Sequence, residues 1–187
     1  MIETLALNQN WAKLTPWLGI ISTILLFSYT NIHEPIFWAL VNIPFYLFHQ
    51  TEEHYIPGGF KNFVNRKILK LPENQESLTD IKIFWVNILL VWLAFAIFGA
   101  LSFINIGFGL VLIAFSAINC FLHIIQVIHY RAWNPGSFIA SFQFIGCIYA
   151  GYFITKSDSL TNPISWWIGV IIFSVVSHII MIKKVKQ

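Results

Sequence analysis

The stretch IFWALVNIPFYLF, residues 36–48, runs without a charge straight into HQTEEH, residues 49–54. A segment that apolar belongs in a low-dielectric medium, where a carboxylate is costly unless it pairs, binds a metal or takes up a proton. Two histidines and two adjacent glutamates at its end therefore require a physical reason.

The surrounding chain is equally apolar. Of 187 residues 57% are hydrophobic and 10% charged, with 18 Phe and 8 Trp, and the mean hydropathy of +0.71 lies far above that of a water-soluble domain. Segments near 15–32, 36–52, 83–104, 108–130, 138–155 and 164–182 approach the roughly 20 residues that cross a hydrocarbon core. The expected fold is all-α: one polytopic membrane domain over 1–187, a bundle of six transmembrane helices. The polar start MIETLALNQN carries no basic tip, short apolar stretch and cleavage site, so no removable signal peptide is expected. Cys120 and Cys147 both fall inside predicted helices and read as buried thiols, with no disulfide scaffold.

The net charge of +3 does not point to nucleic acid. Lys13, Lys61, Arg66, Lys67, Lys70, Lys82, Arg131, Lys183, Lys184 and Lys186 all fall at one set of segment ends, and Lys156 alone falls at the other. That asymmetry predicts a multi-pass cell-membrane protein with both termini in the cytoplasm, together with a connection around 55–82. Its partners are then membrane lipids or a hydrophobic small molecule, with homo-oligomerisation open. Within that connection, Leu78-Thr79-Asp80 is placed to cap the third helix. Short links on the other side imply antiparallel neighbours. Pro44 should kink the second span. Trp11, Trp17, Trp85, Trp133, Trp166 and Trp167 read as interface anchors.

Helical spacing puts His49, Glu52 and Glu53 on one face, with His54 rotated from His49 by roughly 140°. In the fourth span Asn119, His123, Gln126 and Tyr130 form a polar stripe, and His129 is turned from His123 by about 120°. The second and fourth spans both end at the cytoplasmic boundary, so these groups share one depth. His178 comes close to that level, and Asn87 and Gln143 approach it from the opposite direction. His49, Glu52, Glu53 and His123, with His54 and His129 beside them, make an N and O donor set that favours zinc and also suits iron or manganese. Asn42, Asn87 and Asn119 are candidates for orienting the ligands. The alternative leaves Glu52 and Glu53 in the wet headgroup layer, paired with Lys61, Arg66 or Arg131. His33 reads as an exposed loop residue.

HQTEEH is not the HExxH zincin arrangement, and the chain has no GxSxG elbow, phosphate loop or CxxC pair. HQTEEHYIPGGF is partly echoed by HIIQVIHYRAWNPGSF at 123–138, which fits either a repeated two-helix unit or convergence at interfacial helix ends.

His49-Gln-Thr-Glu-Glu53 resembles the signature of the HXXEE-domain proteins, small multi-spanning proteins named for that motif. Asn42, Asn87, Trp92, Asn119, His123, His129, Tyr130 and Asn134-Pro135-Gly136 extend the resemblance over roughly 38–138. The family name describes a motif and implies no reaction. From the residues themselves we expect a metal-dependent membrane hydrolase acting on a lipid-derived or amphipathic substrate, with Glu52, Glu53, His54 and His129 as catalytic candidates. The rivals are a di-iron membrane oxidoreductase and a noncatalytic metal or proton transporter or lipid-binding protein. Ionisable residues crowd one side of the bundle, which favours a laterally accessible site over a conduction path.

Overall fold

The computed structural model describes residues 2–186; the side chains of Val185 and Lys186 lie outside that description, and with them the last of the basic residues named above. The described residues form helices and connections throughout. Helix α1 (Ile2–Ala6) leads through a 3-10 stretch, Leu7–Leu14, into α2 (Thr15–Tyr29). Asn8 and Gln9 sit in the left-handed region, with φ of 50° and 55°, and turn the chain between the two helices. That turn carries Trp11 inward, to 1% exposure. The interface position expected for Trp11 is thus replaced by a core position, whereas Trp17 and Trp133 are exposed.

Helices α3 (Pro35–Leu40) and α4 (Asn42–His54) meet at Val41. Pro44 has no N–H to donate to the Leu40 carbonyl, so the ladder breaks just upstream of the proline, where a kink was expected. Next come α5 (Phe60–Asn62), extended by a π-helical stretch Phe63–Ile68, and α6 (Asp80–Trp85). Thr79 begins α6 as anticipated, its hydroxyl accepting from the Lys82 amide at 3.4 Å. A second π-helical stretch, Val86–Leu93, joins α6 to α7 (Ala94–Leu101). The chain ends with α8 (Gly109–Tyr130), α9 (Ser137–Thr155) and α10 (Pro163–Lys186).

Among the described residues, five helical stretches are long and apolar enough to cross a membrane: Ile2–Tyr29, Asp80–Leu101, Ile106–Tyr130, Ser137–Thr155 and Pro163–Lys184. The remaining span expected at 36–52 is the α3–α4 pair, whose pieces of six and thirteen residues are each too short alone. The architecture is a polytopic helical membrane bundle.

Its exterior is apolar, unlike that of a soluble protein, and polar side chains are buried beside the apolar core. Large apolar side chains such as Ile24, Phe27, Ile145, Tyr152, Ile164 and Ile172 face outward, while Asn42, His49, Gln50, Glu53, His123 and Gln143 are buried. Lipid rewards that arrangement and water does not. Helix α8 is the central element, with Leu110, Leu112 and Ile113 at 0–1% exposure. Gly109 lets it approach α3, because a Cβ there would collide with the Ala39 side chain. Both cysteines are free and buried, the Cys147 thiol donating to Asn42 Oδ1 at 3.0 Å.

The 55–82 connection folds back over one end of the bundle. Buried Asn65 ties it together, donating to the Leu78 carbonyl at 2.8 Å and accepting from the Ser77 and Leu78 amides. Arg66 donates to the Pro72, Glu73 and Gln75 carbonyls at 2.7–2.9 Å. Lys61 pairs with Glu76 and Asp80, each at 3.2 Å. Partial burial pulls the Lys61 pKa down, but these acidic partners outweigh it and raise the value above that of a free lysine. Lys61 and Arg66 are therefore engaged within the connection.

Candidate metal centre

The last two turns of α4 carry HQTEEH, and all of its residues except Thr51 are buried. Glu53 is the hub. Its Oε2 lies 3.1 Å from His54 Nε2 and 3.6 Å from His49 Nε2, and its Oε1 lies 3.6 Å from His123 Nε2, which projects from α8. The 3.1 Å contact lies within hydrogen-bond distance, whereas 3.6 Å is too long for one. It is close to the roughly 3.4 Å that separates donor atoms around a tetrahedral ion with bonds of about 2.0–2.1 Å. His49, Glu53 and His123 can each offer one ligand atom, all within 4.8 Å of one another.

The surroundings fix the rings. His49 Nδ1 is 3.0 Å from the carbonyl of Gly136. A carbonyl only accepts, so Nδ1 carries the proton and Nε2 turns its lone pair toward Glu53. Asn119 donates to that Nε2 at 3.0 Å. On the other side Trp92 donates to Gln50 Oε1 at 2.8 Å, and Gln50 donates to Asn87 Oδ1 at 2.6 Å. The Asn87 amide nitrogen donates to the Ile83 carbonyl and lies 3.5 Å from His54 Nε2. Tyr46 packs against His49, Trp11 against His54, and Phe60 against both His54 and His123.

Gly136 closes the floor. Its φ of +95° suits glycine, and a Cβ there would lie 2.8 Å from His49 Cε1 and 3.1 Å from His123 Cε1. The turn it belongs to is braced by Asn134, which donates to Gln126 Oε1 at 2.6 Å. Pro135 and Gly59 abut, so the two PG turns of the sequence echo lie together.

Glu52 has a different environment from its neighbour. It accepts from the Phe138 and Ile139 amides at 3.0 and 2.7 Å, binding the first turn of α9. That carboxylate satisfies amides with no intrahelical partner and lies at the positive end of the helix dipole. His129 is exposed, its ring against Tyr130. The structure thus brings His49, Glu53, His54 and His123 together and sets Glu52 and His129 apart from them. Asn42 is engaged with Cys147, while Asn87 and Asn119 reach His54 and His49. His33 is exposed, as expected. Gln50, Gly136, Trp11 and Phe60 were not singled out by the sequence as parts of this site. Gln50 lies inside the motif itself, and Gly136 inside the NPG turn.

A cavity of about 330 Å³ opens from the group. Glu53, His54, Asn87 and His123 contribute polar wall, and Val64, Ile83, Val91, Leu122 and Met181 are among the apolar residues that make up most of the rest. Both π-helical stretches border it, through Val64 and Ile68 and through Val86, Asn87 and Val91.

Fold and site together define a polytopic helical membrane protein with a buried His/His/Glu group able to chelate a metal ion. The chain belongs to the family described as "Protein of unknown function with HXXEE motif", whose model matches residues 38–150 and so spans every member of the group. No curated protein matches the chain, and no solved structure does.

Proposed function

We propose that the protein is a metal-dependent integral membrane enzyme, a hydrolase acting on a lipid-derived or amphipathic substrate. The observation that carries this reading is the convergence of three ligand atoms within 4.8 Å, two of them from Glu53 and His123, which border a largely apolar cavity. Two neutral imidazoles and one carboxylate favour zinc with a fourth position open, and iron or manganese accept the same donors. When bound, the ion supplies Lewis acidity toward an ester, amide or phosphate oxygen and makes water more acidic.

The chain's own residues divide the remaining work. His49, Glu53 and His123 are the ligands, with the Gly136 carbonyl fixing the His49 tautomer. His54, whose Nε2 lies 3.1 Å from Glu53 Oε2 and which borders the cavity, is the proton-transfer group. Glu52 holds α9 against α4 and stays out of the ligand set. The apolar walls seat a hydrocarbon tail and exclude water from the reacting end.

We place this site in the cytoplasmic layer of a six-span bundle with both termini inside. The charge asymmetry supports that orientation. Laid end to end, α3 and α4 reach about 28 Å, close to the thickness of a hydrocarbon core. Metal analysis of the purified protein tests the proposal. Stoichiometric zinc, lost in His49→Ala and Glu53→Ala and retained in Glu52→Ala, is the expected result. Paired iron would shift the chemistry to a di-iron membrane oxidoreductase. Folded protein that takes up no divalent metal after supplementation would overturn both.

A further inference from the structure

His178 borders the same cavity from α10 and has no part in the His/Glu group. It is 5% exposed. Its Nδ1 lies 2.8 Å from the Ser174 carbonyl, so that nitrogen carries the proton and Nε2 is left as a lone-pair acceptor. This Nε2 is buried and has no hydrogen-bond partner among the described residues. An unpaired acceptor in an apolar wall is unfavourable, and a native protein that keeps one calls for an explanation. A water would need two to four polar partners there. Phe115, whose ring lies 4.6 Å from that of His178, and the cavity residues Met181 and Ile182 supply none, and Tyr46 and Asn119 are polar residues that border the same cavity from α4 and α8.

Position along the bundle gives the acceptor a meaning. Phe115 precedes His123 on α8 by just over two turns, or about 12 Å of helix rise. His178 therefore sits deeper in the bundle than the level of the His/Glu group that span direction predicted for it, with Val91 and Leu122 among the apolar residues of the wall. A molecule with its head at Glu53 and His123 would run its tail along that wall toward His178.

We propose that His178 Nε2 accepts a hydrogen bond from a hydroxyl carried on the hydrocarbon part of the substrate, so that the cavity selects a hydroxylated acyl chain over a plain one. The inference rests on reading the cavity as an amphiphile site and does not depend on which metal, if any, sits at its head.

The test uses full-length protein in detergent. Dissociation constants are measured by calorimetry for ω-hydroxy, ω-methoxy and unsubstituted fatty acids over a series of matched chain lengths. At one length the hydroxy acid should bind about tenfold more tightly than the plain acid, the gain for satisfying a buried acceptor. The methoxy acid, which cannot donate, should show no gain. His178→Phe keeps a ring against Phe115 and should abolish the preference, with melting temperature recorded as the check on folding. Absence of a hydroxyl preference at every length, an equal gain from the methoxy acid, or a preference that survives in His178→Phe would each overturn the proposal. Chelator-treated protein separates this result from the metal reading. Ligands compared at one length share a head group, so a preference that persists while affinities ignore the chelator would remove the metal and leave the hydroxyl subsite standing.

Discussion

Gly136 is where α4 and α8 meet through their histidines. Its carbonyl sets the His49 tautomer, and its missing side chain leaves room for both imidazoles. An alanine at a φ of +95° costs about 1–2 kcal/mol in backbone strain alone. Its Cβ would also press on His49 and His123. Gly136→Ala should therefore lower the melting temperature by several degrees and reduce metal content. Gly146→Ala, where a Cβ meets nothing within 4 Å among the described residues, should do neither. Differential scanning calorimetry with metal analysis on the two variants checks this. His49, Glu53 and His123 were legible beforehand because helical spacing and span direction suffice to bring them to one depth. Glu52 was not separable from Glu53, since adjacent residues differ by about 100° around a helix and only the identity of the neighbouring helix decides what each meets. Here one meets the histidine cluster and the other the amides of α9. Glu52→Ala should accordingly destabilise the protein by about 1–3 kcal/mol in thermal unfolding, the penalty for leaving two part-buried helix-start amides unpaired, while leaving the metal in place. Metal loss equal to that of Glu53→Ala would return Glu52 to the ligand set.

Elements that looked like connections turn out to shape the cavity. The segment from Phe60 to Leu78 contributes Phe60, Val64, Ile68, Leu69 and Leu78 to its wall, so the site is covered by a piece of chain whose composition reads as loop. Asn65 holds that cover through three hydrogen bonds. Asn65→Ala leaves the Leu78 amide and carbonyl without these partners, at a cost of about 1–3 kcal/mol. Hydrogen exchange across residues 69–78 should then accelerate markedly while α8 stays protected; equal protection in both would mean the cover is held by Arg66 and Lys61 instead. The break in the second span was readable because proline lacks an amide hydrogen. The π-helical stretches were not, because a widened turn has no composition code, although such stretches recur at functional sites. Trp11 escaped for a related reason: two left-handed residues redirect it, and nothing in LNQNWA announces that turn.

At the scale of the whole molecule, the apolar exterior was apparent from composition, since 57% hydrophobic residues cannot all be inside. The number of crossings is harder to read, because it depends on whether a broken pair of short helices traverses the bilayer. The α3–α4 pair decides it. If the pair crosses, residue 33 and residue 74 lie on opposite sides of the membrane; if it only dips in and returns, they lie on the same side. Cys120 and Cys147 are 0% and 2% exposed, so the native thiols give little background. His33, Asn74 and Ser159 are exposed positions suited to His33→Cys, Asn74→Cys and Ser159→Cys. With a membrane-impermeant maleimide on intact cells, the variants at 33 and 159 should label at once, and the variant at 74 only after permeabilisation. Labelling of 33 and 74 from one side would remove the α3–α4 crossing. Labelling of 74 alone in intact cells would keep the crossing and move the His/Glu group to the outer layer, where its substrate would have to arrive from outside the cell.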